Sequence, residues 1–173
     1  MIDLCHLARE SIKAAFDNKK LSPPKSELSG VFVTLYEGEE LRGCIGFPEP
    51  VEPLYVAVVD AARAAAFEDP RFPPLKKSEL SKIRIEVSVL TKPELIEVSS
   101  SSEYLKKIKV GEDGLIVRCG FDSGLLLPQV AVEYAWTVEE FLENTCMKAG
   151  LPADCWKSLK CRIFKFQAKI YKE

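Results

Sequence analysis

The chain has 173 residues, 47% of them hydrophobic and 29% charged, and carries a net charge of −2 at neutral pH. That supports one substantial buried core and excludes a disordered chain. The missing basic excess argues against nucleic-acid binding as the main task.

In chain order, Ile2, Leu4, Leu7, Ala8, Ile12, Ala15 and Phe16 recur at helical spacing, so residues 2–17 are expected to form a helix with one buried face. NKKLSPPKSELSG is polar with a Pro-Pro pair and reads as a loop. GVFVTLY is a strand by its β-branched and aromatic content; EGEE turns the chain, and LRGCIG returns beside it as a hairpin. Pro53 suits the start of a small-residue helix running to about Phe67, followed by the proline-rich loop EDPRFPPL. IRIEVSVL alternates, with Ile83, Ile85, Val87 and Val89 on one face and Arg84, Glu86 and Ser88 on the other. A serine run opens a short helix. GLIVRCG and GLLLPQV read as two strands, with Pro128 ending the second or marking it as an edge. Thr137 and Glu140 form a capping box for a helix ending at Gly150. RIFKFQAKIY is expected to be one final strand, with Phe164, Phe166, Ala168 and Ile170 inward.

This order predicts an α+β fold, a mainly antiparallel sheet flanked by helices. No β-α-β repeat or Gly-rich nucleotide turn is present. The start, MIDLCHLARE, lacks the pattern of an export signal, and LYVAVVDAARAAAF is broken by Asp60 and Arg63 and too short to span a bilayer. A cytoplasmic protein is expected. The six cysteines are then expected to be free thiols. With no CxxC spacing and His6 as the only histidine, the pattern offers no metal site.

LRGCIG concentrates the chemistry. Regular alternation would put Arg42, Cys44 and Gly46 on one strand face, so the guanidinium would favour the Cys44 thiolate. Gly43 and Gly46 would let a ligand or another backbone approach closely. A second reading needs no chemistry: Cys44 as a small core residue, Arg42 paired with a structural carboxylate, and the glycines as a bulge. Glu86 is the carboxylate best placed to meet Arg42 and to relay a proton, if the two strands are neighbours. Asp69 and Arg71 lie in a loop straight after a helix, where such a pair is usually a local clamp, and Gln129 follows a proline. Cys146 shares the apolar face of its helix with Phe141 and Leu142 and is expected to be core. Cys5, Cys119, Cys155 and Cys161 show no partner spacing.

LRGCIG is also the signature of the AMMECR family. AAFEDPRFPPL, IEVSVLTKPELI, GEDGLIV with GLLLPQVAVEYAW, and FLENTCMKAGL with FKFQA resemble that family's pattern in the expected order, from about residue 5 to 171. The resemblance implies one α+β domain over 1–173, in which a larger part carries the sheet and a smaller part packs beside it. It implies no established cofactor, and a shared pathway with a MEMO-type protein and a radical-SAM protein. It points to Arg42, Gly43, Cys44 and Gly46 as the candidate site, lined by Asp69, Arg71, Glu86 and Gln129. Two functions are then expected to compete. One is an enzyme or enzyme component acting on a small anionic molecule, with Cys44, Arg42 and Glu86 catalytic. The other is a protein-interaction module in which LRGCIG is structural.

Overall fold

The structure is a computed structural model, and it describes residues 2–173. The chain runs α1 (Leu4–Phe16), β1 (Gly30–Glu37), β2 (Glu40–Phe47), α2 (Leu54–Phe67), β3 (Ile83–Leu90), β4 (Glu94–Leu95), α3 (Tyr104–Lys107), β5 (Gly114–Cys119), β6 (Asp122–Leu126), α4 (Pro128–Glu133), α5 (Val138–Lys148), β7 (Arg162–Phe166) and β8 (Ala168–Lys172). These form an α+β fold with two four-stranded sheets, ordered β2-β1-β3-β8 and β4-β7-β5-β6. The chain divides into two compact units, residues 1–90 with 169–173, and residues 91–168. No helix among the described residues is long and apolar enough to cross a membrane.

The first unit follows the hydrophobic periodicity. Asp3 caps α1 by accepting the His6 N–H at 3.0 Å, and Leu4, Cys5, Ala8 and Ile12 are buried. Val31, Val33, Leu35, Ile83, Ile85 and Val87 present the apolar face of β1 and β3 to a core shared with these residues and the alanines of α2. The small side chains of α2 let it lie close on the sheet. A Cβ on Gly43 would run into the carbonyl oxygen of Ala65. Gly46 is equally confined, with no room for a Cβ beside the Val31 carbonyl and the Phe32 ring.

In the second unit β5 is flanked by antiparallel β6 and β7. Leu115, Val117, Phe141, Leu142 and Ile163 are fully buried in its core. The Thr137–Glu140 capping box is present, with the Thr137 hydroxyl accepting the Glu140 N–H at 3.2 Å.

Three expectations change. The run GLLLPQV is strand only as far as Leu126. Pro128 then opens α4, because its fixed φ and missing N–H suit a first helical turn. RIFKFQAKIY is two strands in two different sheets, parted at Gln167. Phe166 is buried as expected, but Ile163 rather than Phe164 joins it in the core, and Ile170 is exposed. The third change concerns the cysteines: Cys146 and Cys155 form a disulfide, with Cα atoms 6.1 Å apart. Residue spacing gave no sign of this, because the approach depends on how α5 turns at Gly150 and the chain comes back along it as a short 3-10 helix, Ala153–Lys157. Closing so short a loop adds modest stability, so Cys146→Ser is expected to cost about 2 kcal/mol. Urea unfolding with and without reductant checks this: reductant should erase the difference between variant and parent.

Candidate functional site

The face of the first sheet turned away from the apolar core carries the candidate groups. Thr34, on β1, lies opposite Cys44 on β2 and opposite Glu86 on β3, so thiol, hydroxyl and carboxylate form one row across three strands. Thr34 and Glu86 are only 7% and 5% exposed, and Cys44 is half-buried. The Cys44 Sγ and the Thr34 Oγ1 are 3.3 Å apart and share a hydrogen bond. Glu86 is ion-paired with Lys172 at 3.2 Å.

β2 and β3 are thus not neighbours, and β1 separates Cys44 from Glu86 by two strand spacings, about 10 Å. Glu86 does not meet Arg42 as the alternation suggested. Arg42 also fails to sit beside the thiol as an anion-binding cation. The register slips between Leu35 and Tyr36, so that Leu35 faces Gly43 and Tyr36 faces Leu41, leaving Arg42 without a cross-strand partner. Such a bulge interrupts the alternation on which the shared-face argument rested. The guanidinium is used instead on Glu79, at 2.8 Å from Nε, and on the Pro73 carbonyl, at 3.0 Å from Nη2. Glu79 is held below the ordinary carboxylate range chiefly by that bond.

The cation that acts on Cys44 is Arg71. Asp69, just past the end of α2, accepts the Cys44 N–H at 2.9 Å. The same carboxylate holds the Arg71 guanidinium at 2.7 and 2.9 Å, and that guanidinium donates to the Cys44 carbonyl at 3.2 Å. The local clamp expected at EDPRF therefore also grips the edge strand on both sides of Cys44. Asp69 is 4% exposed, and the Arg71 bonds hold its carboxyl well below the usual range.

The thiol itself is not activated. Burial pushes Cys44 above the ordinary thiol range, more than the Thr34 bond and the charge of Arg71 pull it down, and Asp69 and Glu86 add to the rise. The expected thiolate is replaced by a neutral thiol at neutral pH. Gly43 and Gly46 are occupied by packing. Gln129 lies on α4 in the second unit, with a buried Oε1 that accepts no hydrogen bond from any described residue.

Two residues outside the sequence-derived set belong to this face. Thr34 is the one aliphatic hydroxyl in GVFVTLY. Arg84 stands two residues, about 7 Å, along β3 from Glu86, with its guanidinium 4.6 Å from the centre of the Tyr36 ring. Its place beside Glu86 and Ser88 in the polar register was the available signal. Among the described residues, no cluster of three or more His, Cys, Asp and Glu side chains could hold a metal ion.

Fold and site together describe an α+β protein with a thiol–hydroxyl–carboxylate row on one sheet face. The AMMECR1 family matches residues 5–171, and the chain belongs to that family. It is 59% identical over 144 residues to a protein of Methanothermobacter thermautotrophicus, covering 83% of this chain and 75% of that one. It is 52% identical over 179 residues to Protein MK0488 of Methanopyrus kandleri, covering 98% and 86%. The crystal structure of uncharacterized protein PH0010 from Pyrococcus horikoshii superposes with a TM-score of 0.92 at 50% identity, over 98% of this chain and 89% of that one.

Proposed function

We propose that the protein is an enzyme or enzyme component that holds a small anionic molecule against the Cys44–Thr34–Glu86 row, with Arg84 in the docking role first assigned to Arg42. The observation that carries this is a charge balance. Arg42 is neutralised by Glu79, Arg71 by Asp69 and Lys172 by Glu86, while Arg84 has only the face of Tyr36 and no hydrogen-bond acceptor among the described residues. A half-buried guanidinium without an acceptor attracts a carboxylate or phosphate group. Cys44 starts as a neutral thiol, so its proton must leave before sulfur can attack. Thr34 then donates to the sulfur, and Glu86 on the far side of Thr34 is the carboxylate in the same row that can take a proton, Asp69 being held by Arg71 and the Cys44 N–H.

Alkylation of Cys44 tests the reading. Its pH midpoint is expected above the ~8.5 of a free thiol. Thr34→Val should move it further up by removing the bond that favours the thiolate, and Glu86→Gln should move it down by removing a like charge. Iodoacetate should gain on iodoacetamide at Cys44 compared with free cysteine, and Arg84→Gln should abolish that preference. If Cys44 reacts only after unfolding, the site reading fails.

The competing reading is an interaction module, linked to the MEMO-type and radical-SAM partners that the family resemblance implies. One observation favours it: packing accounts for Gly43 and Gly46, and Arg42 is ion-paired with Glu79. It predicts that Cys44 stays protected in the native protein.

A further inference from the structure

Four of the six cysteines lie in the second unit, and all four belong to one core: Cys146, Cys155 and Cys161 are inside it and Cys119 packs against it. Cys146 and Cys155 are bonded to each other. The other two are free thiols, and the strand register brings them together. Arg118 lies opposite Arg162 across the antiparallel β5–β7 pair. Cys119 follows Arg118 and Cys161 precedes Arg162, so they are the next facing positions. Directly facing residues of antiparallel strands have Cα atoms about 4.5–5.5 Å apart, inside the span of about 4.4–6.8 Å that a disulfide bridges. Burial pushes the Cys161 thiol up to about 11, and the neighbouring Cys119 thiol adds to the rise.

Their surroundings differ. Cys161 is 5% exposed. Cys119 is half-buried and ends β5 at a tight hairpin, where Gly120 takes φ +61° and Phe121 stands fully in solvent. A reagent from solution therefore meets Cys119 first.

We propose that Cys119 and Cys161 form a dithiol–disulfide couple, oxidised by a low-molecular-weight disulfide of the glutathione class. Cys119, as thiolate, attacks one sulfur of the reagent, forming a mixed disulfide and releasing one thiol. Cys161 loses its proton to solvent and attacks the Cys119 sulfur, closing the protein disulfide and releasing the second thiol. Two protein thiols are oxidised and one disulfide is reduced to two thiols. The product ties the end of the β5–β6 hairpin to the segment leading into β7. This couple lies in the second unit and does not depend on the Cys44 face.

The test equilibrates the full chain in glutathione buffers from reducing to oxidising, quenches with acid, alkylates under denaturing conditions and maps the peptides by mass spectrometry. The expected result is loss of both labels at Cys119 and Cys161 and appearance of the peptide linking them. Cys161→Ser should trap glutathione on Cys119, and Cys119→Ser should leave Cys161 without an adduct in the native state. Failure to form the Cys119–Cys161 link in the folded parent at any buffer setting would overturn the proposal. So would links from either residue to Cys146 or Cys155 in its place. The parent experiment decides the matter even if a variant folds poorly.

Discussion

Gly43→Ala is expected to destabilise the protein by about 3 kcal/mol or more, at the upper end of overpacking effects. The new Cβ would point at the Ala65 carbonyl oxygen, which is helix backbone and cannot rotate aside as a side chain would. Relief requires moving α2 and β2 apart. That would loosen a core in which Leu35, Val58, Ala61, Ala62 and Ala65 are each 1% exposed or less. It would also disturb the Asp69 clamp, since Cys44 is the next residue in the strand. The urea midpoint should fall with little change in slope, the signature of lost stability rather than altered compactness. A midpoint unchanged within error would mean that helix and strand are free to separate at no cost.

Asp69→Ala is expected to cost about 3 kcal/mol, the low end for breaking a buried charge pair, because Arg71 is exposed enough to recover hydration. The loss is concentrated in what Asp69 accepts: the Cys44 N–H, the Arg71 N–H and the Arg71 guanidinium. Asp69→Asn keeps an acceptor oxygen and should lose less. The two variants also predict the acid limb of stability. The folded carboxyl is held well below its unfolded value of about 3.9. Its contribution is therefore complete above that value and is lost as pH falls through it toward the folded one. The parent should show this extra loss of stability below about pH 4, and Asp69→Asn should show a shallower limb. Chemical denaturation across pH checks this, and identical slopes in parent and variant would rule out Asp69 as the source.

What alternation could not supply was the sheet order. Ile83, Ile85 and Val87 mark a buried strand face by their own pattern, and they are buried. Nothing within IRIEVSVL says that its neighbour is GVFVTLY rather than LRGCIG, so alternation alone pairs Glu86 with the wrong cation. The place of Arg42 escapes alternation for a related reason. A one-residue bulge changes which side chains share a face, and it is set by how two strands settle together over the core. EDPRF was legible as a clamp because Asp69 and Arg71 are two residues apart and close on themselves. Its grip on Cys44 was not, being a contact across 25 positions of sequence.

By itself the sequence determined the local elements: α1 with its buried face, α2 from Pro53 to Phe67, the β1–β2 hairpin, the capping box of α5, and the family pattern over nearly the whole chain. These depend on side-chain period, backbone propensity and hydrogen bonds that close within one turn. Only the tertiary structure decided that β1 lies between Cys44 and Glu86, that Arg71 and not Arg42 acts on the thiol, that Cys146 bonds to Cys155, and that Gln167 divides one apparent strand between two sheets. Those outcomes depend on which distant apolar faces are buried together. That choice is made by the core as a whole, not by any segment within it.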